Sequence, residues 1–142
     1  MASQETTPSD VYPSLSDDDA AAIEWLCTAF GFQKRLVVPG PDGMVRHSEL
    51  TLGTGVIMVS SAKPEQGRVS PRGLDGVNQA LSVHVGDPDA HFARAKAAGA
   101  SIVQELADED YGSRGCMAED PEGHVWYFGT YRPGAWWDAQ TD

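Results

Sequence analysis

Residues 81–100 read LSVHVGDPDAHFARAKAAGA, and this stretch decides the fold because an earlier stretch has the same pattern. Residues 11–32, VYPSLSDDDAAAIEWLCTAFGF, also place a short β-like run before an acidic helix start and a glycine after the helical run. Asp19 matches Asp89 at a distance of 70 residues, and Gly31 matches Gly99 at a distance of 68. Apolar residues spaced by three or four predict an amphipathic helix in each copy. The sequence therefore predicts an internal duplication.

Each copy continues with three further strand-like runs, so the repeated unit is predicted to be β-α-β-β-β. The predicted strands cover 11–16, 33–38, 44–52 and 56–60 in the first copy. In the second copy they cover 81–85, 101–105, 116–119 and 125–131, with 106–114 as a loop. The predicted fold is α+β, with a tail at 1–10, a first module at 11–61, a linker at 62–78, a second module at 79–133 and a tail at 134–142.

The composition of the chain excludes several classes of function. Ten Lys and Arg stand against 21 Asp and Glu, giving a net charge of −11, whereas nucleic acids and anionic membranes require a basic surface. No run approaches the ~20 apolar residues of a membrane span. The first ten residues do not have the pattern of a secretion signal, and Cys27 and Cys116 do not form a CxxC pair. We therefore expect a cytoplasmic protein with no nucleic-acid or membrane partner.

Three motifs on this duplicated frame resemble the vicinal oxygen chelate superfamily of glyoxalases, bleomycin-resistance proteins and extradiol dioxygenases. They are the strand and helix at 11–32, the stretch GVNQALSVHVGDPDAHFARAKAAGA at 76–100 and the ending DPEGHVWYFGTY at 120–131. The resemblance covers about residues 11–133. It implies paired modules whose curved sheets enclose a central cavity, commonly in a homodimer.

The resemblance also implies where a metal would be held. Catalytic members bind a divalent ion through His, Gln or Glu near the starts of the first and fifth strands and late in the fourth and eighth. Carried over by counting, these positions fall on Asp10, Ala80, Val59 and Tyr127. A divalent ion needs at least two or three converging nitrogen or oxygen ligands. We therefore expect no metal and no other cofactor.

Strand alternation predicts which side chains face the cavity. Leu50 and Leu52 belong to the core, which places His47, Glu49 and Thr51 on the cavity side. With Tyr127 at a former ligand position, Trp126 and Phe128 are expected beneath the helices. An apolar shell of Ile57, Val59, Met117 and Val125 is expected around the polar groups, as small-molecule sites require.

The predicted ligand-binding residues are seven in number, and none is assigned a catalytic role. One of them lies in the predicted 106–114 loop and is expected to close over a ligand. His91 and His124 are expected to face solvent, whereas Trp136 and Trp137 are expected to dock on the protein or on a second copy. The seven residues are Tyr12, Ser14, His47, Glu49, His84, Arg114 (in the loop) and Tyr127.

Three hypotheses for function remain open. The first is a metal-free protein of the bleomycin-resistance kind, which binds a small organic molecule. The second is a metal-dependent lyase, isomerase or dioxygenase with a displaced metal site formed by His47, Glu49 and His84. The third is a metal-free enzyme in which Glu49 or His84 is the general base and Tyr127 is a proton donor.

Overall fold

The computed structural model describes residues 9–134, so the predicted docking of Trp136 and Trp137 concerns residues outside this range. The chain divides into two compact units, Met1–Asp75 and Gly76–Asp142, and the division falls inside the segment predicted as a linker. Each unit contains a four-stranded mixed sheet and a ten-residue helix. Neither of these helices is long and apolar enough to cross a membrane. The predicted α+β fold with two β-α-β-β-β modules is confirmed.

The first module follows the predicted element order. Its strands pair in the order β1-β4-β3-β2, with β1 parallel to β4 and the other pairs antiparallel. Gly31 ends the helix in the left-handed conformation (φ 87°), which glycine adopts without steric cost. The elements are β1 (Ser14–Asp17), α1 (Ala21–Phe30), β2 (Gln33–Pro39), β3 (Val45–Leu52) and β4 (Gly55–Ser61).

The second module has the same topology, with strand order β5-β8-β7-β6. Its helix begins at Pro88, and the Asp87 side chain accepts a hydrogen bond from the Ala90 N–H at 3.1 Å, as an N-cap does. The helix contacts all three antiparallel strands of the sheet. The elements are β5 (Leu81–His84), α2 (Pro88–Ala97), β6 (Ser101–Asp108), β7 (Arg114–Glu119) and β8 (Val125–Gly129).

In both modules, one face of the sheet is buried and apolar. In the first, Leu15, Leu50 and Val59 lie on this face and are almost fully buried. In the second, Trp126 and Phe128 have no exposed surface, as predicted from the alternation along β8. We call this side of each sheet the buried face and the opposite side the distal face.

Both sheets end in irregular or short edge strands. The register of β2 against β3 shifts between Lys34 and Leu36, and that of β6 against β7 shifts between Ile102 and Gln104 and again before Ala107. Such shifts are β-bulges, which bend the strand and interrupt its ladder of hydrogen bonds. The opposite edges, β1 and β5, are only four residues long.

The boundaries of several predicted strands were wrong, β8 for example ending at Gly129 rather than at residue 131. The predicted loop 106–114 shortens to 109–113, because Asp108 pairs with Arg114 across the strands and their side chains form an ion pair at 3.1 Å. The first strand begins at Ser14 rather than at residue 11, since Pro13 has no N–H to donate and contributes only its carbonyl, which accepts a bond from Met58.

Two histidines are less exposed than the sequence predicts. His91 is half-buried, and its ring lies 4.1 Å from that of Phe128 between centroids, on the buried face of the second sheet. His124 is also half-buried, and its backbone N–H donates a hydrogen bond to the Asp120 carboxylate at 3.0 Å.

Candidate functional site

The distal face of the first sheet carries three of the predicted binding residues. The register pairs Glu49 with Met58 and Met58 with Ser14, so these side chains share one face. His47, two residues from Glu49, lies on the same side, and its Nε2 is 2.9 Å from Glu49 Oε2. The polar side chains of β3, those of His47 and Glu49, therefore lie on the distal face, as predicted, and Leu50 lies on the buried face of this module.

Glu49 is held between two cationic or proton-donating groups. Its Oε2 accepts a hydrogen bond from His47, and its Oε1 accepts one from Arg35 Nη1 at 2.9 Å. Mainly because of the His47 bond, with a further contribution from Arg35, the pKa of Glu49 lies below its ordinary value. Both oxygens of this carboxylate are therefore already bonded, and it is ionised at neutral pH.

The distal face of the second sheet is built around Tyr127. The register pairs Tyr127 with Ser82 on one side and with Met117 on the other, and pairs Gly129 with His84 and Gly115. His84 and Tyr127, both predicted from sequence, therefore share the distal face of this module. Ser82 is exposed, whereas Met117, Tyr127 and His84 are half-buried.

The Tyr127 ring lies down across a pair of glycines. A Cβ atom added to Gly129 would be 2.6 Å from Tyr127 Cε2, and one added to Gly115 would be 2.6 Å from Tyr127 Oη. Real Cβ atoms do not approach other atoms this closely, so the ring occupies space that any other residue at these positions would fill. The end of the side chain therefore rests against the backbone of β7 and β8 instead of standing up from the sheet.

The Tyr127 hydroxyl is engaged by the short loop that precedes β7. It forms a hydrogen bond with Ser113 Oγ at 2.9 Å, and Ser113 is buried. The interaction of Tyr111 with this hydroxyl is the main reason why the pKa of Tyr111 is raised to about 12. Tyr111 also meets Tyr131 edge to face, with 5.6 Å between ring centroids. Three tyrosines and one serine thus form a hydroxyl and ring cluster.

His84 stands beside this cluster in the sheet register. Burial lowers its pKa below the ordinary value, and the positive charge of Arg132 lowers it further. The imidazole is therefore neutral at neutral pH, when it carries one donor and one acceptor nitrogen.

The remaining predicted residues occupy other environments. Arg114 lies in β7 and not in a loop, and its Nε and Nη2 bind both carboxylate oxygens of Asp89 on α2, at 2.8 and 3.0 Å. This places its side chain on the helix side of the sheet, opposite Tyr127. Tyr12 precedes β1, is 40% exposed and donates its hydroxyl to the Ser9 carbonyl.

The predicted apolar shell was wrong at two positions. Ile57 and Val59 lie on the buried face with Leu50, because the register pairs Leu50 with Ile57. The residue of β4 that corresponds to Tyr127 is Met58, since Met58 pairs with β1 and β3 as Tyr127 pairs with β5 and β7. Val59 was predicted as the counterpart of Tyr127 by counting a fixed number of residues between the two copies. This count failed because the β7–β8 turn is one residue longer than the β3–β4 turn.

The metal positions implied by the resemblance do not fit a divalent ion. In the strand register, the first-module positions equivalent to Ala80 and Tyr127 are Tyr12 and Met58, so the counted Asp10 and Val59 were wrong and the four positions are Tyr12, Met58, Ala80 and Tyr127. Alanine has no ligand atom, a thioether is a soft ligand, and the Tyr127 oxygen is already bonded to Ser113. Within either unit, the described residues contain no group of three His, Cys, Asp or Glu side chains that could hold a metal.

Sequence reasoning missed the residues that position Tyr127. Gly115 and Gly129 were not singled out, although they pair across β7 and β8, and Ser113 was placed in a loop without a role. The signal was available in principle, because glycines inside strands often mark a close approach of other atoms.

Sequence reasoning also missed the role of Asp120, which was expected only to form a turn. Its Oδ1 accepts hydrogen bonds from the backbone of Glu122 and His124, and its Oδ2 accepts one from the Trp126 indole, each at 3.0 Å. The carboxylate thereby ties the turn to the core of the second module.

Comparison with known proteins identifies a family and relatives that agree with this architecture. Residues 14–128 match the family model described as the Glyoxalase/Bleomycin resistance protein/Dioxygenase superfamily. Over 133 residues the chain is 35% identical to the uncharacterized protein Rv0887c of Mycobacterium tuberculosis, covering 88% of this chain and 78% of that protein.

Solved structures agree with the family match. The crystal structure of TioX from Micromonospora sp. ML1 is 35% identical, with a TM-score of 0.69, over 87% of this chain and 99% of that one. A glyoxalase/bleomycin resistance protein/dioxygenase family enzyme from Burkholderia phytofirmans PsJN, 20% identical over 83% of this chain and 94% of its own, shares the fold with a TM-score of 0.64. The family match covers most of the chain, and the chain therefore belongs to the Glyoxalase/Bleomycin resistance protein/Dioxygenase superfamily.

Proposed function

We propose that this protein binds a small organic molecule on the distal faces of its sheets without the family metal, in the manner of a bleomycin-resistance protein. The observation that carries the proposal is the state of Tyr127. It stands where the resemblance implies a metal ligand, yet its oxygen is bonded to Ser113 and its ring rests on two glycines. An apolar ring with a few polar neighbours is suited to an organic ligand.

The predicted binding residues fall into three groups. Ser14, His47 and Glu49 supply polar groups on the first distal face. His84 and Tyr127 supply a neutral imidazole and an aromatic ring on the second. A role for Tyr12 and Arg114 stays a prediction, and Arg114 would have to give up its bonds to Asp89 to reach a ligand.

A second candidate function, a metal-free enzyme, is favoured by one observation. His47 and Glu49 form a histidine–carboxylate pair, the arrangement in which a carboxylate orients an imidazole for general-base catalysis. Because the ionised carboxylate accepts the Nε2 proton, the other ring nitrogen, Nδ1, is the acceptor. In this candidate enzyme, His47 is the general base and Glu49 positions it. The sequence had instead suggested Glu49 or His84 as the general base.

We also propose that the protein is a homodimer and acts in the cytoplasm. The family resemblance supports the first point, and Cys27 and Cys116, which do not form a disulfide, are compatible with a reducing compartment. Sedimentation equilibrium at micromolar concentration tests the dimer, and a monomer there would contradict it.

Metal analysis tests the proposed function. Protein purified without added metal should contain less than about a tenth of an equivalent of Zn, Ni, Mn or Fe, because the implied positions offer too few ligands. Its melting temperature should not rise with added Mn²⁺ or Ni²⁺. A stoichiometric ion, or a rise of several degrees that is lost in the His47→Ala or His84→Ala variant, would instead support the metal-dependent enzyme.

A further inference from the structure

We propose that the ligand carries an uncharged planar aromatic ring, and that this ring stacks on the side of Tyr127 that faces away from the sheet. The inference rests on the proposed binding function and names the chemical class that the second module selects. It also assigns Gly115 and Gly129 as the residues that position the stacking surface.

The first step of the argument is the orientation of the Tyr127 side chain. Its Cζ and Oη atoms lie within 2.8 Å of where the Cβ atoms of both glycines would be. The ring therefore lies along the sheet, and the absence of side chains at positions 115 and 129 keeps it there. Tyr127 is only half-buried, so part of its side chain remains accessible, and the backbone of the two glycines occupies one side of it.

The second step concerns the hydroxyl, which is the obvious polar contact for a ligand. It is bonded to the buried Ser113 and interacts with Tyr111, so it is already engaged inside the protein. What the side chain still offers to a ligand is the π-surface of its ring. Aromatic rings gain about 0.5–1.5 kcal/mol from stacked or edge-to-face contact with other rings beyond burial alone, or roughly three- to tenfold in affinity.

The third step concerns the neighbours of the ring. Ser82 and Met117, which flank Tyr127 in the register, are uncharged, and a thioether contacts aromatic groups favourably. His84, whose pKa is lowered, adds a neutral donor and acceptor beside Gly129. The charged Glu119 lies at the end of β7, where it pairs with Val125 of β8 on the side of Tyr127 that is away from Gly129. An uncharged aromatic ring bearing an amide or hydroxyl matches these neighbours best.

The test uses two probes of equal size in NMR titrations of the ¹⁵N-labelled full chain. The first is 2-naphthamide, and the second is its saturated analogue, decahydro-2-naphthamide. The wild type should bind the aromatic probe about three- to tenfold more tightly than the saturated one. Amides of β7 and β8 should shift.

Three variants separate stacking from general apolar contact. Tyr127→Phe keeps the ring and should bind 2-naphthamide within about twofold of the wild type, whereas Tyr127→Leu should lose the three- to tenfold preference. Gly129→Ala leaves residue 127 unchanged but displaces its ring, so it should weaken binding like Tyr127→Leu. The dispersion of each variant's amide spectrum reports whether the fold is kept, and the Phe and Leu pair carries the test if Gly129→Ala unfolds.

The outcomes separate this inference from the proposed function. Equal binding of the two probes to the wild type, or an unchanged preference in Tyr127→Leu, overturns the stacking inference and leaves small-molecule binding intact. Binding of other, non-planar compounds without binding of 2-naphthamide does the same. If neither probe nor a library of several hundred drug-like compounds shifts any resonance, the proposed function fails as well.

Discussion

The two distal faces differ at three neighbouring positions, which are those of Tyr127 and of the two glycines beneath its ring. Tyr127 in the second module corresponds to Met58 in the first, and each is flanked by equivalent strands. Two residues further along β8 and β7 lie Gly129 and Gly115, where β4 and β3 have Ser60 and His47. A ring can lie down on the second sheet only because both side chains beneath it are missing.

The comparison shows that the two copies of the sheet differ in groups of neighbouring residues that act together, and not in single side chains. The first face retains side chains at all three positions, and one of them, His47, joins the hydrogen-bonded chain Arg35–Glu49–His47. The second removes two side chains and organises hydroxyl groups and rings around Tyr127. One face is therefore sensitive to pH and salt, and the other depends on close packing.

The largest effect on stability is expected from a substitution in the turn between β7 and β8, which differs from the turn between β3 and β4. Thr51 and Val56 pair across the four-residue turn 52–55, whereas Glu119 and Val125 pair across the five-residue turn 120–124, which Asp120 organises. Asp120→Ala leaves three donors without their acceptor, one of them the buried Trp126 indole. We expect a loss of about 3 kcal/mol or more in the free energy of unfolding, measured by urea denaturation.

The matched control for this change lies in the other turn. Thr54→Ala, at an exposed position between two glycines, should alter the free energy of unfolding by less than about 0.5 kcal/mol. Equal effects of the two substitutions would show that the second turn is not specially fixed by its carboxylate.

The next effect tests whether Tyr127 and the glycine pair act as one unit. Gly129→Ala brings a methyl group to 2.6 Å from the Tyr127 ring and should destabilise the protein by about 1–3 kcal/mol. In a Tyr127→Ala background the three nearest atoms to this methyl group are gone, so most of this cost should disappear. Additive effects in the double-mutant cycle would refute the coupling.

The smallest effect concerns the charged face of the first module. Because the pKa of Glu49 is lowered in the folded protein, its stabilising contribution is present above the ordinary pKa of glutamate, about 4.3, and is lost as the pH falls through the folded-state value. The difference in melting temperature between wild type and Glu49→Gln should therefore shrink as the pH is lowered from 7 towards 3.

A direct titration sharpens this prediction. The carboxyl ¹³C resonance of Glu49 should titrate below the ordinary range in the wild type and move back towards it in His47→Ala, since the His47 bond is the main cause of the shift. An unchanged titration in that variant would assign the effect to Arg35 instead.

The order of elements and the faces of most strands follow from local patterns in the sequence. The repeat of Asp19 and Gly31 at Asp89 and Gly99 predicts the duplication, and the alternation of Leu50 with polar residues predicts the exposed side of β3. Trp126 and Phe128 likewise predict the buried face of β8. These predictions hold because strand and helix periodicity depend only on neighbouring residues.

The features that failed depend on partners distant in the sequence. Val59 was assigned to the wrong face because a single extra residue in the second turn changes the offset, and a one-residue slip reverses every side chain of a strand. The bonds of Arg114 to Asp89 and of Tyr127 to Ser113 join residues that no short motif connects. Site chemistry was therefore harder to predict than topology.

The irregular strand edges have a consequence for the behaviour of the chain at high concentration. A long, flat edge strand offers free N–H and C=O groups to any other chain and is a common start of amyloid-like assembly. Here the longer edges, β2 and β6, are interrupted by bulges, and β1 and β5 are four residues long. Each sheet is thus a poor template for strand addition, which lets exposed apolar residues such as Val103 remain on an edge without recruiting other copies.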